Sequence, residues 1–433
     1  VNWISQLPRF REARRRLAVF EDRESWCRDR LRRYQLGRLN QIWGHARVRV
    51  PHYQRLASKN DLPEQFDSLE QFTHCMPVLD KSLVRQSPSD FLSNQPEPGQ
   101  WHRTGGSTGD PLRVYWSSRA HREQLQAKYR MEHAFEVDFL DRKACLWGHH
   151  ASFAPGFEGW KQRSQQSLED RLRKRCRLSA YQLGSKELDA HLDSLESYRP
   201  STLYGYSSAI NLLAERAIET RRTIPSLRLC ILTAEPADHT FLETVQRAFG
   251  CPATIEYGSV ECGLIASGGP DGNLRVREDL VFLETMPQPC GRHRIVVTIL
   301  NNPSFPLLRY EIEDNCCGPI QFTDLGMGIL PCVLGRNNDV LISRGGKIIH
   351  SMAVKHVFEA DDRIRRFRVT QQSDGQVEAV VESRSTSNAL NVGRMTGLLT
   401  DLLENFPVRI RVVDSIEGNS AGKHRWIVSH RVE

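Results

Sequence analysis

The sequence predicts an α/β fold, and three observations carry that reading. Between Thr202 and Tyr257 the residue periods run strand, helix, strand, helix, strand, which implies a parallel sheet with right-handed crossovers. After Ala266 the apolar runs shorten and turn antiparallel in flavour. Beyond Asp339 the composition changes to a compact α+β pattern. At 433 residues the chain exceeds the usual single-core limit, so more than one packed unit is expected.

Taken in order, Leu17, Phe20, Leu31, Leu36 and Leu39 sit among arginines between Arg9 and Gly44, a pattern that fits one or two amphipathic helices. Val50-Pro51 and Leu62-Pro63 mark turns, and Met76 to Lys81 reads as a turn leading into another helix. Leu112 to Trp116 alternates like a strand and forms a hairpin-like unit with the glycine loop before it. Thr202 to Tyr206 is strand-like, and Ser207 or Ser208 is placed to cap the helix carrying Ile210, Leu213 and Ala217. Leu227 to Thr233 is an apolar strand, Asp238 caps a helix ending at Gly250, and Ala253 to Ile255 returns to strand. Arg294 to Leu300 and Leu307 to Ile312 are further strands. Past the domain boundary at Asn337 to Asp339, Ala353 to Ala360 and Ala389 to Asn405 are helical. Phe367 to Thr370, Val377 to Glu382 and Val408 to Val413 are strands.

Charged residues at 26% and apolar residues at 39% describe a globular chain, with no apolar run long enough to span a bilayer. Val1 to Arg16 holds no continuous apolar stretch of the signal-peptide kind, so a cytoplasmic location is the default expectation. The eleven cysteines include no Cys-x-x-Cys pair. Buried free thiols are the simpler reading, and the spacing of Cys290, Cys316, Cys317 and Cys332 matches no standard zinc pattern. Residues 1–60 hold fifteen Lys and Arg against five Asp and Glu, so this stretch is +10 while the rest of a +7 chain is −3. A solvated helical face explains that charge, and a docking surface for an acidic carrier protein or an anionic membrane is the sharper alternative. No nucleic-acid-binding module accompanies it.

Arg103 to Leu112 alternates glycines with small hydroxyl residues, so backbone amides and side-chain donors can converge on an anion. It is not the nucleoside-triphosphate P-loop, because Asp110 and Pro111 stand where that motif needs lysine and a hydroxyl, and it is not the dinucleotide fingerprint. Two strand ends carry distinctive residues, Thr233-Ala234-Glu235-Pro236 and Glu256-Tyr257-Gly258-Ser259-Val260-Glu261. The second sets a flat ring before a glycine, with a carboxylate four residues after the ring, which suits stacking a base and holding a metal ion. Further on come Leu308 to Asp314, Leu334-Gly335-Arg336, and a terminal loop, Gly418 to Arg425, that presents Lys423. Trp147, His149, His150 and Phe153 form an aromatic and histidine-rich stretch that, with Tyr204, suits the lining of a ligand pocket.

These stretches, in this order, resemble the adenylate-forming superfamily of acyl-CoA synthetases, adenylation domains and luciferases. The resemblance is to its phenylacetate-CoA ligase branch with capsule-associated relatives, and it covers roughly residues 40–433, with 116–201 only loosely matched. It implies a large N-terminal domain, residues 1–337, of parallel α/β subdomains plus a smaller distorted β-barrel-like part, then a small mobile α+β domain, residues 338–433. Thr104, Gly105, Gly106, Ser107, Thr108 and Gly109 resemble the loop that closes on the β- and γ-phosphates of ATP. Ala234, Glu235, Pro236, Glu256, Tyr257, Gly258 and Ser259 resemble the segments bracketing adenine, with Tyr257 as the stacking ring. Glu261 matches the glutamate that helps hold Mg2+, Asp314 the aspartate that accepts both ribose hydroxyls, Arg336 its supporting arginine, and Lys423 the lysine that reaches the α-phosphate. In the family, the small domain swings about a hinge beside Gly335-Arg336, bringing the Gly345-Gly346 loop to the site for the second half-reaction.

The implied activity joins ATP and a small-molecule carboxylic acid into an acyl-adenylate with loss of pyrophosphate, then transfers the acyl group to a thiol, with CoA as co-substrate. Transfer to a carrier-protein thiol or an amine is the second enzyme reading, and a catalytically weak nucleotide-binding relative in a polysaccharide or natural-product pathway is the third. Three positions depart from the family pattern. Asp110 replaces a common lysine, Val260 a common Thr or Ser, and Asn338 the usual hinge aspartate.

Overall fold

A computed structural model describes residues 22–104, 112–147, 170, 174–180, 183, 185–235, 237, 239–288, 291–324, 326–336, 340–345, 348–350, 354, 357–358, 361, 363–383, 390–413, 416 and 427–430. Helix α1 (Arg28–Arg49) buries Leu31, Leu39, Ile42, Trp43 and Ala46 along one stripe and leaves most of its arginines on the other side. It stops because a residue before proline is steered to extended backbone, as Val50 is at φ −116° and ψ 117°. Pro51 then opens α2 (Pro51–Asn60). Trp43 is fully buried, donating from Nε1 to the Pro63 carbonyl at 2.8 Å and meeting Tyr53 and Phe66 at 6.4 and 5.7 Å between ring centres. Helix α3 (Leu69–Cys75) starts on Ser68, whose hydroxyl accepts from the Gln71 amide, and α4 (Lys81–Gln86) on Asp80, which accepts from the Ser82 amide at 2.6 Å.

Strands β1 (Gly99–Arg103) and β2 (Arg113–Ser117) pair antiparallel as the expected hairpin, with Arg103 opposite Arg113 next to the glycine loop. Ser117 caps α5 (Ser118–His133) through the Ala120 amide. There follow β3 (Lys143–Trp147), β4 (Arg175–Ser179), α6 (Ser185–Tyr198), β5 (Thr202–Tyr206), α7 (Ser207–Glu219), β6 (Leu229–Thr233), α8 (His239–Phe249) and β7 (Ala253–Ser259). Strands β8 (Gly263–Gly268) and β9 (Leu274–Val276) add antiparallel to the far edge, giving the order β4-β3-β5-β6-β7-β8-β9. Leu146, Leu203 and Leu232 pack on one face against Leu192, Leu213 and Val245 of the crossover helices. Leu229 and Ile231 face the other way, onto Met131 of α5 and Val137. Two faces, both covered, explain why β6 is buried along its whole length.

Strands β10 (Val281–Pro287), β11 (His293–Ile299), β12 (Tyr310–Cys316) and β13 (Val333–Arg336) form the antiparallel half-barrel, which shares a core with α1 and the hairpin. The strand expected from Leu307 begins only at Tyr310, because Arg309 takes φ +49° and cannot extend a pleated run. The last segment contains β14 (Val340–Ile342), β15 (Ile348–His350), β16 (Ile364–Gln371), β17 (Val377–Ser383), α9 (Val392–Leu402), β18 (Val408–Val413) and β19 (Ile427–Ser429). The sheet order there is β18-β17-β16-β19, over a core of its own that includes Phe358, Phe367 and Leu399. The described cysteines are all free, with Cys230, Cys251, Cys262 and Cys316 buried but Cys27, Cys317 and Cys332 exposed, and Cys290 lies outside the described residues. Among the described residues, no helix is long and apolar enough to cross a membrane.

A buried ion cluster ties the N-terminal segment to the sheet. Arg130 of α5 grips both oxygens of Asp279 at 3.1 Å and also reaches Glu24 at 3.0 Å, while Arg28 holds Glu278 at 2.6 and 2.7 Å. Burial alone would raise the Asp279 carboxyl, but the Arg130 charge and hydrogen bond outweigh it and hold the group below its ordinary value. Arg130 and Asp279 side chains are 1% and 0% exposed, so Arg130→Ala strands a buried carboxylate and should cost about 3–5 kcal/mol in urea unfolding. A depressed carboxyl contributes stability that is complete above its unfolded value, about 3.9, and is lost as pH falls through the folded value. Because the variant lacks the charge that depresses Asp279, its stability deficit against the parent should shrink as pH falls through the parent's folded value.

Candidate active site

Among the described residues, Trp147, Ala234, Glu235, Glu256 and Tyr257 lie at or near the carboxyl ends of β3, β6 and β7, the edge of the sheet where α/β folds bind ligands. Strand β7 organises them, because successive side chains point to opposite faces. Tyr257 points toward the half-barrel and donates its hydroxyl to Asp314 Oδ2 at 2.9 Å. Burial first, and then the Asp314 carboxylate, push the Tyr257 hydroxyl well above its ordinary pKa, so it stays a donor. Asp314 on β12 stands directly opposite Arg336 on β13 in the strand register. Gly258 is required by space: a Cβ there would lie 2.3 Å from the Gly263 carbonyl oxygen across the β7–β8 turn.

Glu256, one residue earlier, points the other way. Its Oε1 accepts from Lys128 Nζ at 2.7 Å and from the Tyr204 hydroxyl at 2.9 Å, and these two donors are themselves 3.4 Å apart. Burial alone would lower the Lys128 ammonium pKa, but the Glu256 carboxylate more than reverses that and raises it. Burial also raises the Tyr204 hydroxyl. Trp147 at the end of β3 packs tilted against Tyr206 at 4.1 Å and stacks on Tyr204 at 5.8 Å, so β3, β5 and β7 together build one aromatic and polar wall.

Glu261 lies just past β7 and is 4% exposed. Lys81, at the start of α4, reaches its Oε1 at 3.2 Å and Glu313 at 3.3 Å, and the Tyr310 hydroxyl is 3.4 Å from the same Glu261 oxygen. Ser259 accepts from the Cys262 amide at 3.0 Å and so fixes the turn between them. Ala234, after β6, adopts φ +65°, a conformation rare without glycine and a local strain of the kind that clusters at functional sites. The strained turn aims Glu235 back at α7: its carboxylate accepts from the Ser208 amide and its carbonyl from the Ser207 hydroxyl, each at 3.0 Å. Helix α7 is thus capped by a distant carboxylate, and no serine of its own caps it. Thr104 closes the glycine loop at its base through Leu112, with bonds of 2.9 and 3.0 Å.

The structure therefore joins Tyr257 with Asp314 and Arg336, Glu256 with Tyr204 and Trp147, and Glu235 with the start of α7. Gly105, Gly106, Ser107, Thr108, Gly109, His149, His150, Phe153, Pro236 and Lys423 lie outside the described residues. Sequence reasoning missed Lys81, Lys128 and Tyr206. A signal for Lys128 existed, since it lies four residues after Gln124 and three before Met131, both on the buried side of α5. Among the described residues no three His, Cys, Asp or Glu side chains cluster as a metal site. Glu261 offers one carboxylate, which matches the habit of Mg2+ of taking one or two carboxylates and completing its shell with substrate phosphates and water.

No family model matches the chain. It is 21% identical over 331 residues to Protein CapK of Staphylococcus aureus, covering 75% of this chain and 71% of CapK. It is 23% identical over 430 residues to the phenylacetate-coenzyme A ligase of Pseudomonas putida, covering 94% of each. Among solved structures, 2-hydroxyisobutyryl-CoA ligase in the postadenylation state superimposes with a TM-score of 0.69 at 19% identity, covering 94% of this chain and 91% of that one. The same ligase with CoA in the thioesterification state gives a TM-score of 0.61 at 20% identity. The solved structures show the fold, and the two relatives show a resemblance to the phenylacetate-CoA ligase-like branch of the adenylate-forming superfamily.

Proposed function

We propose that this protein activates a carboxylic acid with ATP, releasing pyrophosphate, and passes the acyl group from the adenylate to the thiol of CoA. The observation that carries the reading is the Tyr257–Asp314 hydrogen bond with Arg336 opposite Asp314, a flat ring and a carboxylate locked together at the carboxyl edge of the sheet. On this reading Tyr257 stacks adenine, Asp314 accepts the ribose hydroxyls, and the loop from Thr104 to Gly109 grips the outer phosphates. Ala234, Glu235 and Pro236 bracket the base from the neighbouring strand end. Lys423 neutralises charge at the α-phosphate while the acid's carboxylate attacks. The chain divides at 337/338, and the smaller part delivers that lysine.

Glu261 would hold Mg2+, whose contribution is to neutralise the triphosphate and departing pyrophosphate. Lys81 already shares one oxygen of Glu261, so the free carboxylate is a poor trap for a lone dication, and the ion is best recruited together with the triphosphate. Lys81 places a cation beside Glu261, but it is shared with Glu313. Transfer to an acidic carrier protein loses support from α1, because Arg28, Arg32 and Arg47 each pair with a carboxylate of the same chain.

The reading is tested by pyrophosphate release across a panel of acids, with and without CoA. Acid-dependent exchange of pyrophosphate into ATP, without any acyl-CoA after CoA is added, would remove the thiol step and leave the amine or carrier acceptor. Lys423→Ala should lower the rate of adenylate formation by about a hundredfold or more, as loss of a transition-state donor does, with ATP affinity little changed. Asp314→Ala should instead raise the KM for ATP by about tenfold or more, since it removes charge-assisted hydrogen bonds made equally in ground and transition states.

A further inference from the structure

The wall formed by β3, β5 and β7 contains a polar group that the nucleotide does not explain. In the strand registers Tyr206 is opposite Thr233, and Thr233 is opposite Glu256, so these side chains share the face on which Trp147 stacks. Tyr257, the next residue along β7, faces away from them and is bound to Asp314. Glu256 therefore lies on the face of β7 opposite the proposed base-stacking ring. Its side chain is 6% exposed, Oε1 takes both Lys128 and Tyr204, and Oε2 is buried with no hydrogen-bond partner among the described residues. A buried carboxylate oxygen without a donor is costly, and native structures rarely leave one so.

Charge decides what can partner Oε2. Lys128 already neutralises Glu256, so a cation arriving at Oε2 would leave the buried set at +1, and an anion would leave it at −1 facing an acceptor. A neutral donor satisfies Oε2 and keeps the set neutral. On the same face Trp147 packs tilted against Tyr206, an apolar surface for a ring, and Lys128, 35% exposed, keeps the pair within reach of an entering ligand. We propose that the acid used here is aromatic and carries a neutral hydrogen-bond donor, a hydroxyl or an aromatic amine, and that Glu256 is the residue selecting it. The inference rests on the acid-activating reading, and it names the acid's class.

Calorimetry on the full chain tests it, with phenylacetate and its ring-hydroxyl, ring-amino and ring-methyl isomers as probes. The expected result is a hydroxyl or amino isomer binding about tenfold or more tighter than the methyl isomer of the same position. Glu256→Gln, checked for folding by its thermal melt, should shrink that ratio about fivefold or more by turning an amide donor toward the ligand's donor. Lys128→Met supplies an independent variant: with the counter-charge gone, preference should move to an aminomethyl isomer, which is cationic. Equal binding of methyl and hydroxyl isomers by the parent chain would mean that Oε2 is served by a trapped water, and would overturn the proposal, as would failure of every probe to bind. Selective binding without pyrophosphate release from ATP would uphold the donor site while overturning acid activation.

Discussion

The alternation of β7 is the constraint on which the candidate site depends. Within six residues this strand directs Glu256 toward α5 and the aromatic wall, Tyr257 toward Asp314 and the half-barrel, and Glu261 toward Lys81. A one-residue slip in its register would exchange the two faces, bringing a ring to the lysine and a carboxylate to another carboxylate. Two features hold the register. Parallel pairing with β6 fixes Glu256 opposite Thr233, and the tight approach of β8 at Gly258 admits no side chain. The irregularity between Tyr257 and Gly258 falls at the point where parallel pairing gives way to the antiparallel edge.

Much of this architecture is legible in the sequence where local signals agree with the final packing. The strands at Thr202 and Leu229 and the helices after them show their own periods, and Asp80 caps α4 as its position suggests. The reading weakens where a distant residue takes over a local task. Ser207 and Ser208 look like caps of α7, yet the capping carboxylate is Glu235. Three-residue strands such as β14, β15 and β19 are too short to show a period. In the site, Tyr257 stands out because a ring beside glycine is unusual locally, whereas Asp314 is legible only through the family resemblance. Lys128 does not stand out, because its meaning comes from Glu256, 128 residues away.

The basic N-terminal segment shows how little net charge says about partners once geometry is known. Arg28 is largely buried against Glu278, and Arg23 lies 3.5 Å from Asp279, so part of the excess positive charge serves to anchor the segment. Arg32–Glu70 and Arg55–Asp90 are exposed pairs and contribute only about 0–1 kcal/mol each. The inward pairs are different in kind, since each would leave a poorly solvated carboxylate if broken. Their charge is used to fix α1 across the half-barrel, where Gln35 also donates to the Val281 carbonyl at 3.1 Å.

The same reasoning bears on the altered glycine loop. On the proposed reading, Asp110 removes one cation from around the triphosphate and adds an anion, which weakens the local field at the phosphates. Lys81 is shared between Glu261 and Glu313, so with both carboxylates ionised that cluster carries −1 before substrate arrives. A cluster with that balance repels a bare triphosphate and accepts a magnesium-bound one, whose dication reverses the sign. Dependence on the metal should then lie in ATP binding as well as in turnover, because without the ion the phosphates meet a site of their own charge.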